Sequence, residues 1–597
     1  MPTKLGATSL GDGRTEFLVW APKPDLVELH LLTPEDRVVE MATLERGYRR
    51  AVVDRVDPGA TYRYRLDGHE YPDPASRYQP AGVHGPSSVI DARAFVWDDI
   101  GWTPPLLEEY VIYELHVGTL TQEGTFDAIV PHLDGLAALG LTAIELMPVG
   151  QFSGTRNWGY DGVFPYAAQD SYGGPHGLAS LVSECHRRGL AVVLDVIHNH
   201  IGPEGNVLGE FGPYFTTRYR TPWGPAMNFD GPGSDEVRRY FIENALRWSD
   251  EFHVDALRLD AIQGIVDTSA RSFLEELSEA VDQHARPLLL FAETDQNDRR
   301  IVTPRANGGL GLHAQWSDDF HHAMHALLTG ERRGPSADFG SLEHLAAAYR
   351  DGFVYSGQFS SFRGRRFGSS SRDIPGERLV VFGQNHDQVG NRPRGERLSQ
   401  LVDLETAKLA AGLTLLAPYV PLLFMGEEYG ELAPFHYFVS HADPELIENV
   451  RRGRGEEFAA FGWVEDSPDP QDEATFNASK LDHGLEDKEP HRSLSALYRE
   501  LLRLRKTDPA LRSLDKRAMD VSVGGEVLQV RRWMREHEAV ILFNTGPENA
   551  VVTLPEGEWC MIFDSSDPRW ASRQVAAGAP GRVAGRSFVA FSREGPR

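Results

Sequence analysis

The chain has 597 residues, of which 41% are hydrophobic and 25% are charged, a composition typical of a globular protein and not of a disordered one. Its length exceeds that of one ordinary hydrophobic core and predicts two to four domains. The net charge of −27 argues against nucleic acid or an anionic membrane as a partner, because phosphate groups attract Lys and Arg.

Cysteine usage and apolar runs bear on the compartment. The only cysteines are Cys185, which we place on a packed helix, and Cys560, so a disulfide framework is excluded and a reducing cytoplasm is favoured. The N-terminal stretch lacks the apolar core of a signal peptide. Pro418 and Pro421 interrupt the apolar run 409–426, which therefore predicts a buried helix and strand and not a membrane span. We expect a cytoplasmic monomer.

Short alternating segments in the first hundred residues predict an antiparallel β-sandwich at 1–105. They are "TEFLVWAP", "LVELHLL", "RRAVVDRV" and "ATYRYRL", separated by turn residues. Such a domain either resembles a carbohydrate-binding module that holds glucan or only packs against its neighbour. Trp97 and Trp102 fit either alternative, whereas Trp20 in "FLVWAP" is expected in the core.

From about Tyr110 the pattern changes to alternating strands and helices. Eight apolar strands are predicted, in "VIYELHVG", "TAIELMPV", "LAVVLDVIHNH", "FHVDALRLDAI", "PLLLFAETD", "LHAQWSD", "RLVVFGQNHD" and "VPLLFMGEE". Continuous apolar strands are typical of a parallel sheet that is buried on both faces. Eight of them indicate an α/β fold, a (β/α)8 TIM barrel at 106–512, although an open doubly wound sheet has the same local pattern.

The segments "VLQVRRW", "AVILFN", "AVVTLP" and "FVAFS" predict a C-terminal β-sandwich at 513–597. The predicted architecture is thus a TIM barrel flanked by an N-terminal and a C-terminal β-sandwich.

Polar side chains stand at the carboxyl ends of several predicted barrel strands, where barrel enzymes keep their active sites. They are Asp195, Asn199 and His200 on the third strand, Arg258 and Asp260 on the fourth, Glu293 on the fifth, and His386 and Asp387 on the seventh. One aspartate after a strand more often caps a helix than catalyses. Four carboxylates, two histidines and an arginine at such positions point instead to a catalytic centre.

Glycoside cleavage needs one ionised and one protonated carboxyl group on either side of the bond. Arg258 lies two residues from Asp260 and favours its anion, so Asp260 is the expected nucleophile. Glu293 follows "PLLLFA", and an apolar wall together with carboxylate neighbours raises its pKa. We therefore expect Glu293 to act first as general acid and then as general base.

The segments "DVIHNH", "ALRLDAI", "FAETD" and "FGQNHD" resemble, in order and spacing, those of the α-amylase superfamily (glycoside hydrolase family 13). The resemblance covers nearly the whole chain. It implies that Asp387 is a third carboxylate that grips the sugar and that Tyr160 in "NWGYDG" is its stacking platform. The further substrate contacts that it implies are Trp158, Asp195, Asn199, His200, Arg258, Ala261, Ile262, Gln263, His386, Gln388 and Asn391.

The flanking segments, such as "DDFHHAMHALLTGE" and "NHDQVGNRPRGERLS", resemble the branch that holds glucan-branching enzymes and trehalose-releasing hydrolases, and the hydrolases more closely. This implies retaining hydrolysis of the α-1,4 bond next to the terminal trehalose of malto-oligosyl trehalose, with related α-glucans as further ligands and trehalose as product. Candidate contacts to the leaving trehalose are Asp318, Asp319, His321 and His322, together with Gln388. Equally, the first four could cap and pair within the following helix.

His198 and Thr294 depart from the family pattern, but neither is one of the proposed carboxylates. The insertion after the third strand, 201–233, is short and has few acids besides Glu204, Glu210 and Asp230. We therefore expect no metal and no cofactor.

Two alternatives stay open. A glucan-branching enzyme or a general α-1,4-glucan hydrolase would use the same carboxylates. A non-catalytic glucan-binding protein with a relic barrel is disfavoured because all three carboxylates are in place.

Overall fold

The computed structural model describes residues 4–460, 462–463, 467–572 and 581–594. The N-terminal strands form two antiparallel sheets. One sheet contains Gly6–Gly11, Arg14–Trp20, Tyr48–Asp54 and Ala42–Thr43, and the other contains Arg37–Glu40, Val27–Leu31, Thr61–Leu66, His69–Tyr71 and Ser87–Ser88. Alternate residues of Thr61–Leu66 are buried, as expected for a strand with one face on a core.

Eight parallel strands close into a barrel, so the open-sheet alternative is wrong. In chain order they are Ile112–Leu115, Ala143–Leu146, Ala191–Val196, Ala256–Leu259, Leu289–Ala292, Ala314–Trp316, Leu379–Phe382 and Val420–Phe424, called the first to the eighth barrel strand below. Each of them lies within one of the eight segments predicted from the sequence.

The helices of ten or more residues are Gly174–Arg187, Ser234–Phe252, Phe273–Asp282, Asp318–Thr329, Leu342–Asp351, Leu404–Leu415, Pro444–Ala460 and His491–Thr507. The shorter α-helices are Val117–Leu120, Phe126–Ile129, Leu133–Leu139, Leu208–Phe211, His386–Gly390, Leu398–Leu401, Glu473–Ala478 and Pro509–Arg512. The predicted helix and strand in 409–426 are confirmed, and Cys185 is buried on its helix. In the part of the chain that the structure describes, no helix is long and apolar enough to cross a membrane.

Three antiparallel two-stranded hairpins lie in the loops that connect the barrel strands and helices. Their strands are Gly150–Gln151 with Phe164–Ala168, Phe215–Thr221 with Gly224–Met227, and Phe359–Ser360 with Arg365–Arg366. The second hairpin lies in the insertion after the third barrel strand.

The barrel interior changes from apolar to polar toward the carboxyl ends of the strands. Alternate residues of a barrel strand face inward, and neighbouring strands are staggered. With the observed register, one layer consists of Glu145, Arg258, Trp316 and Leu422. The next layer up consists of Glu114, Asp195, Glu293 and Phe382. The Arg258 guanidinium lies 4.4 Å from the centroid of the Trp316 ring, consistent with one shared layer.

The C-terminal strands form a five-stranded antiparallel sheet and a two-stranded one within the described residues. The larger sheet has the order Met519–Gly524, Val527–Met534, His537–Asn544, Ser587–Glu594 and Cys560–Asp564, and the smaller pairs Ala550–Val551 with Arg582–Val583.

Aromatic residues of the N-terminal sheets pack against the barrel insertion. Trp20 is buried, as predicted, and its ring lies edge-on to Tyr214 with centroids 5.1 Å apart. Tyr64 meets Phe211 in the same way at 6.1 Å. This sandwich therefore supports the segment that carries the second hairpin.

The linker from the sandwich to the barrel is fastened at the amino-terminal end of the barrel. Trp97 stacks on His253 with centroids 3.7 Å apart, and Trp102 stacks on His186 at 4.5 Å. Both tryptophans are half-buried and pack against the edge of the core.

Candidate active site

Arg258 lies at the centre of the polar end of the barrel and is fully buried. Its Nη1 donates hydrogen bonds to Asp195 Oδ2 at 2.6 Å and to Asp260 Oδ1 at 3.0 Å. Its Nη2 lies 3.7 Å from Glu293 Oε2. A single buried cation is thereby in contact with three carboxylates, which lowers the cost of burying each of them.

Asp260 follows the fourth barrel strand directly and is held on both sides. Oδ1 faces Arg258, and Oδ2 accepts a hydrogen bond from Asn199 Nδ2 at 2.9 Å. The same Asn199 amide donates to the Asp260 backbone carbonyl at 2.7 Å. Hydrogen bonds to both carboxylate oxygens fix the direction of the side chain.

Glu293 follows the fifth barrel strand. Its Oε2 accepts a hydrogen bond from the backbone N–H of Ala261 at 2.6 Å. Burial raises the pKa of Glu293 well above its usual value; Arg258 opposes this shift, and the negative charge of Asp260 adds to it. The raised pKa favours the protonated form of Glu293, as a general acid requires.

Tyr160 and His386 form a stacked pair beside these carboxylates, with ring centroids 5.3 Å apart. The Tyr160 hydroxyl donates to Asp195 Oδ2 at 2.6 Å, and His386 Nδ1 lies 2.5 Å from Glu114 Oε1. Burial lowers the pKa of His386, but the charges of Asp387 and Glu114 outweigh it and raise that pKa to about 9. His386 is therefore an imidazolium at neutral pH.

Trp158 and His200 contact the stacked pair of Tyr160 and His386. Trp158 is buried, donates from Nε1 to the backbone carbonyl of His436 at 2.8 Å, and lies edge-on to His386. His200 Nε2 lies 2.9 Å from the Tyr160 backbone carbonyl, and its Nδ1 contacts Asn199 Oδ1.

Asp387 lies in the first turn of the helix His386–Gly390, and 41% of its side chain is exposed. Asn391 Nδ2 donates to Asp387 Oδ1 at 3.2 Å. Asp387 is the most exposed of the three predicted catalytic carboxylates, since only 10% of the Asp260 side chain and 14% of the Glu293 side chain are exposed.

A cavity of about 290 Å³ opens beside Asp387. Among the residues that line it are Asp295, Asp318, His321, His322, His325, Arg363, Asp387, Gln388, Asn391, Arg392 and Trp463. Burial, reinforced by the charges of Asp295 and Asp387, raises the pKa of Asp318 to about 7.

Several of the remaining residues that were predicted to contact substrate make hydrogen bonds within the protein. Asp319 is buried, and its Oδ2 accepts hydrogen bonds from the backbone N–H groups of Val354 and Tyr355 at 2.7 and 2.9 Å. Asn297 Nδ2 donates to the same oxygen at 2.8 Å. The predicted contact through the Asp319 carboxylate is thus occupied by internal hydrogen bonds.

His321 and His322 border the cavity but are also bonded within the protein. His321 Nδ1 lies 2.8 Å from the Gly383 carbonyl, and His322 Nδ1 lies 3.2 Å from Ser336 Oγ. Burial lowers the pKa of His322 to about 3, so it is neutral at physiological pH.

Next to Asp260, Ala261 has a positive φ of 38°, and its amide donates to Glu293. Ile262 is buried, whereas Gln263 is exposed at the rim.

Four residues at the mouth were missed by the sequence analysis. Trp223, at the tip of the second hairpin, is 49% exposed and stacks on His200 with centroids 4.9 Å apart and planes 8° apart. Arg363 Nη1 donates a hydrogen bond to Asp295 Oδ2 at 2.7 Å. Trp463 lines the same cavity as these two residues. An aromatic at a turn, as in "TPWGP", is the only signal that pointed to any of them.

Within the described ranges, no cluster of three or more His, Cys, Asp or Glu side chains is arranged to hold a metal ion. Glu204 accepts from the backbone N–H of Ala442 at 3.0 Å, and Asp230 accepts from the Thr268 hydroxyl at 2.7 Å.

Comparisons with known proteins agree with this geometry. Residues 91–220 match the family described as alpha amylase, catalytic domain, and residues 4–82 match carbohydrate-binding module 48, the isoamylase N-terminal domain. The closed barrel and its strand-end carboxylates, with these matches, define a glycoside hydrolase of the α-amylase superfamily.

Relatives that match most of the chain identify the family within this superfamily. The chain is 49% identical to a malto-oligosyltrehalose trehalohydrolase of Saccharolobus solfataricus, over 83% of this chain and 85% of that protein. It is 45% identical to the enzyme of that name from Arthrobacter ramosus, over 91% and 93%. A crystal structure from Salmonella typhimurium, assigned as an alpha amylase, superposes with a TM-score of 0.90 at 37% identity, over 99% and 100% of the two chains. The chain belongs to the malto-oligosyltrehalose trehalohydrolase family.

Proposed function

We propose that this protein hydrolyses the α-1,4-glucosidic bond next to the terminal trehalose of malto-oligosyl trehalose and releases trehalose. The observation that carries the proposal is the contact of one buried Arg258 with both Asp260 and Glu293. Relatives of that name, similar over most of the chain, indicate the substrate.

In the first step, Asp260 attacks the anomeric carbon while Glu293 gives its proton to the glycosidic oxygen of the leaving trehalose. The carbon–oxygen bond to trehalose breaks as the bond to Asp260 Oδ forms. Arg258 and Asn199 fix the direction of the Asp260 carboxylate, and the raised pKa of Glu293 favours the protonated form that the first step needs.

In the second step, Glu293 takes a proton from water, and the water oxygen displaces Asp260 from the anomeric carbon. Two inversions give overall retention. Such enzymes hold their two carboxyl groups about 5–5.5 Å apart, and we expect this separation here.

The sugar at the cleavage point would stack on Tyr160, with Asp387 bonding its hydroxyls, while His200 and His386 hold Tyr160 in place. Asp387 suits this role because its carboxylate is exposed beside the buried pair. Trp223 offers a further flat surface at the mouth, and aromatic faces of this kind bind the apolar faces of sugar rings.

The polar cavity beside Asp387 is the candidate site for the leaving trehalose. Asp318, Gln388 and Arg363 line it with donors and acceptors. Groups that hydrogen-bond the hydroxyls of the α,α-1,1 disaccharide would be left unpaired by plain maltodextrin, which penalises the latter.

The strand positions support a division into an N-terminal domain at 1–105, a barrel at 106–512 and a C-terminal domain at 513–597. We infer that the protein works in the cytoplasm, since the two cysteines are free in the structure, and we keep the expectation of a monomer as a proposal.

Product analysis tests the proposal. The protein is incubated with malto-oligosyl trehalose, with maltodextrin of equal length and with amylose, and the products are separated by chromatography. We expect trehalose from the first substrate, with kcat/KM well above that for maltodextrin. Equal efficiency on the two oligosaccharides would return the protein to the general α-1,4-glucan hydrolases, and new branch points in amylose would indicate a branching enzyme.

A further inference from the structure

Six polar atoms in the upper layers of the barrel interior have no hydrogen-bond partner among the residues that the structure describes. They are both carboxyl oxygens of Glu145, Asp195 Oδ1, Arg258 Nε and Nη2, and Trp316 Nε1. These four residues are at most 2% exposed. Buried polar groups in native proteins are nearly always paired, so a concentration of six in two adjacent layers points to a shared ligand.

Glu145 is central to this group. It lies on the second barrel strand, in the layer that contains Arg258 and Trp316. Burial raises its pKa well above the usual value, Glu114 and Asp195 add to the shift, and Arg258 and His386 oppose it. These are the charged groups that face Glu145 from the surrounding strands. The shift favours the neutral acid, which can donate one hydrogen bond as well as accept others.

The six atoms together offer donors and acceptors. Arg258 and Trp316 donate, Asp195 accepts, and a neutral Glu145 does both. An anion would be repelled by the carboxylates, and a cation by the arginine. A small neutral molecule that donates and accepts at once, with two to four polar neighbours, is water.

We propose that Glu145 holds ordered water inside the barrel and that this water hydrogen-bonds and fixes the guanidinium of Arg258. Glu145 is thereby a positioning residue for the nucleophile, Asp260. Arg258 reaches Asp195 and Asp260 through the single nitrogen Nη1. The Trp316 ring, 4.4 Å from the guanidinium, and Glu293 Oε2, 3.7 Å from Nη2, already limit its tilt, and hydrogen bonds at Nε and Nη2 would fix its plane further. The direction of Asp260 depends on that plane.

The roles of Arg258 and Asp260 rest on the proposed function, but the water site does not. Its first test is a crystal structure at a resolution that shows solvent. Ordered water within hydrogen-bond distance of both Glu145 and Arg258 Nε supports the proposal. A dry interior, or a direct bond between these two side chains, overturns it.

The second test compares Glu145→Gln with Glu145→Leu. The amide donates and accepts as the neutral acid does, so Glu145→Gln should keep kcat within about threefold, whereas Glu145→Leu should lower kcat about tenfold or more with little change in KM. Equal losses in both variants, or wild-type kcat in Glu145→Leu, would refute the positioning role.

Gln315→Leu is the matched control. Gln315 is also buried on a barrel strand, and its side-chain amide is also unpaired in the described structure. It lies between Ala314 and Trp316 in sequence and so faces outward, toward the helices. Wild-type kcat is expected for Gln315→Leu. A loss equal to that of Glu145→Leu would mean that any unpaired polar group in the barrel wall has this effect, and would overturn the proposal.

Discussion

The backbone N–H of Ala261 donates a hydrogen bond of 2.6 Å to Glu293 Oε2. The residue that follows the proposed nucleophile therefore orients the proposed general acid. The positive φ of Ala261 makes this contact possible, so a strained backbone position joins the ends of the fourth and fifth barrel strands.

Replacing Asp260 by Ala should lower kcat roughly 10³-fold or more, because the covalent step is lost. Binding of oligosaccharide, measured by calorimetry, should be largely kept, since Tyr160, Trp223 and Asp387 are unchanged. Activity within tenfold of the wild type would reject Asp260 as the nucleophile.

The alkaline side of the pH profile should depend on Asp318. The general acid must be protonated, so kcat/KM falls as the pH rises through the pKa of Glu293. The negative charge of Asp318 raises that pKa, and Asp318 itself, with a pKa of about 7, is ionised on the alkaline side. In Asp318→Asn the alkaline limb should therefore move to lower pH; an unmoved limb, or one at higher pH, contradicts the assignment.

Asp319→Ala should act on stability more than on selectivity. The substitution leaves the N–H groups of the half-buried residues Val354 and Tyr355 without their acceptor, which costs up to about 1–3 kcal/mol. Denaturant unfolding measures the loss of free energy. A fully stable variant that discriminates less between malto-oligosyl trehalose and maltodextrin would instead make Asp319 a substrate contact.

Trp223→Ala should lower kcat/KM for the oligosaccharide about 3- to 10-fold, the worth of one stacked ring, while Trp223→Phe keeps most of it. Trp97→Ala is the matched control, because Trp97 also stacks on a histidine but at the other end of the barrel. Unchanged kinetics in Trp223→Ala, or an equal effect in the control, would exclude a sugar platform at the hairpin tip.

Barrel strands and strand-end carboxylates could be predicted because their signals are local. A buried parallel strand such as Ala191–Val196 is a continuous apolar run, and Asp195 stands out within it. Asp319 shows the limit of this reasoning, because its acceptor role depends on the amides of Val354 and Tyr355, which lie 35 and 36 positions away in sequence.

The mouth of the site was harder to predict for the same reason. Arg363 meets Asp295 across 68 positions, and Trp223 meets His200 only because a hairpin folds back over the barrel. Sequence periodicity reports which face of an element is buried, and it carries no information on which distant loop covers that face.

The aromatic residues of the N-terminal sandwich have a consequence for how the protein unfolds. Trp20 and Tyr64 face the barrel insertion, and Trp97 and Trp102 fasten the linker. Removal of residues 1–105 would expose the rings of Phe211 and Tyr214, against which the sandwich packs. Sandwich and barrel are separate in topology, but each stabilises the other through these contacts. We therefore expect them to unfold together, in a single calorimetric transition.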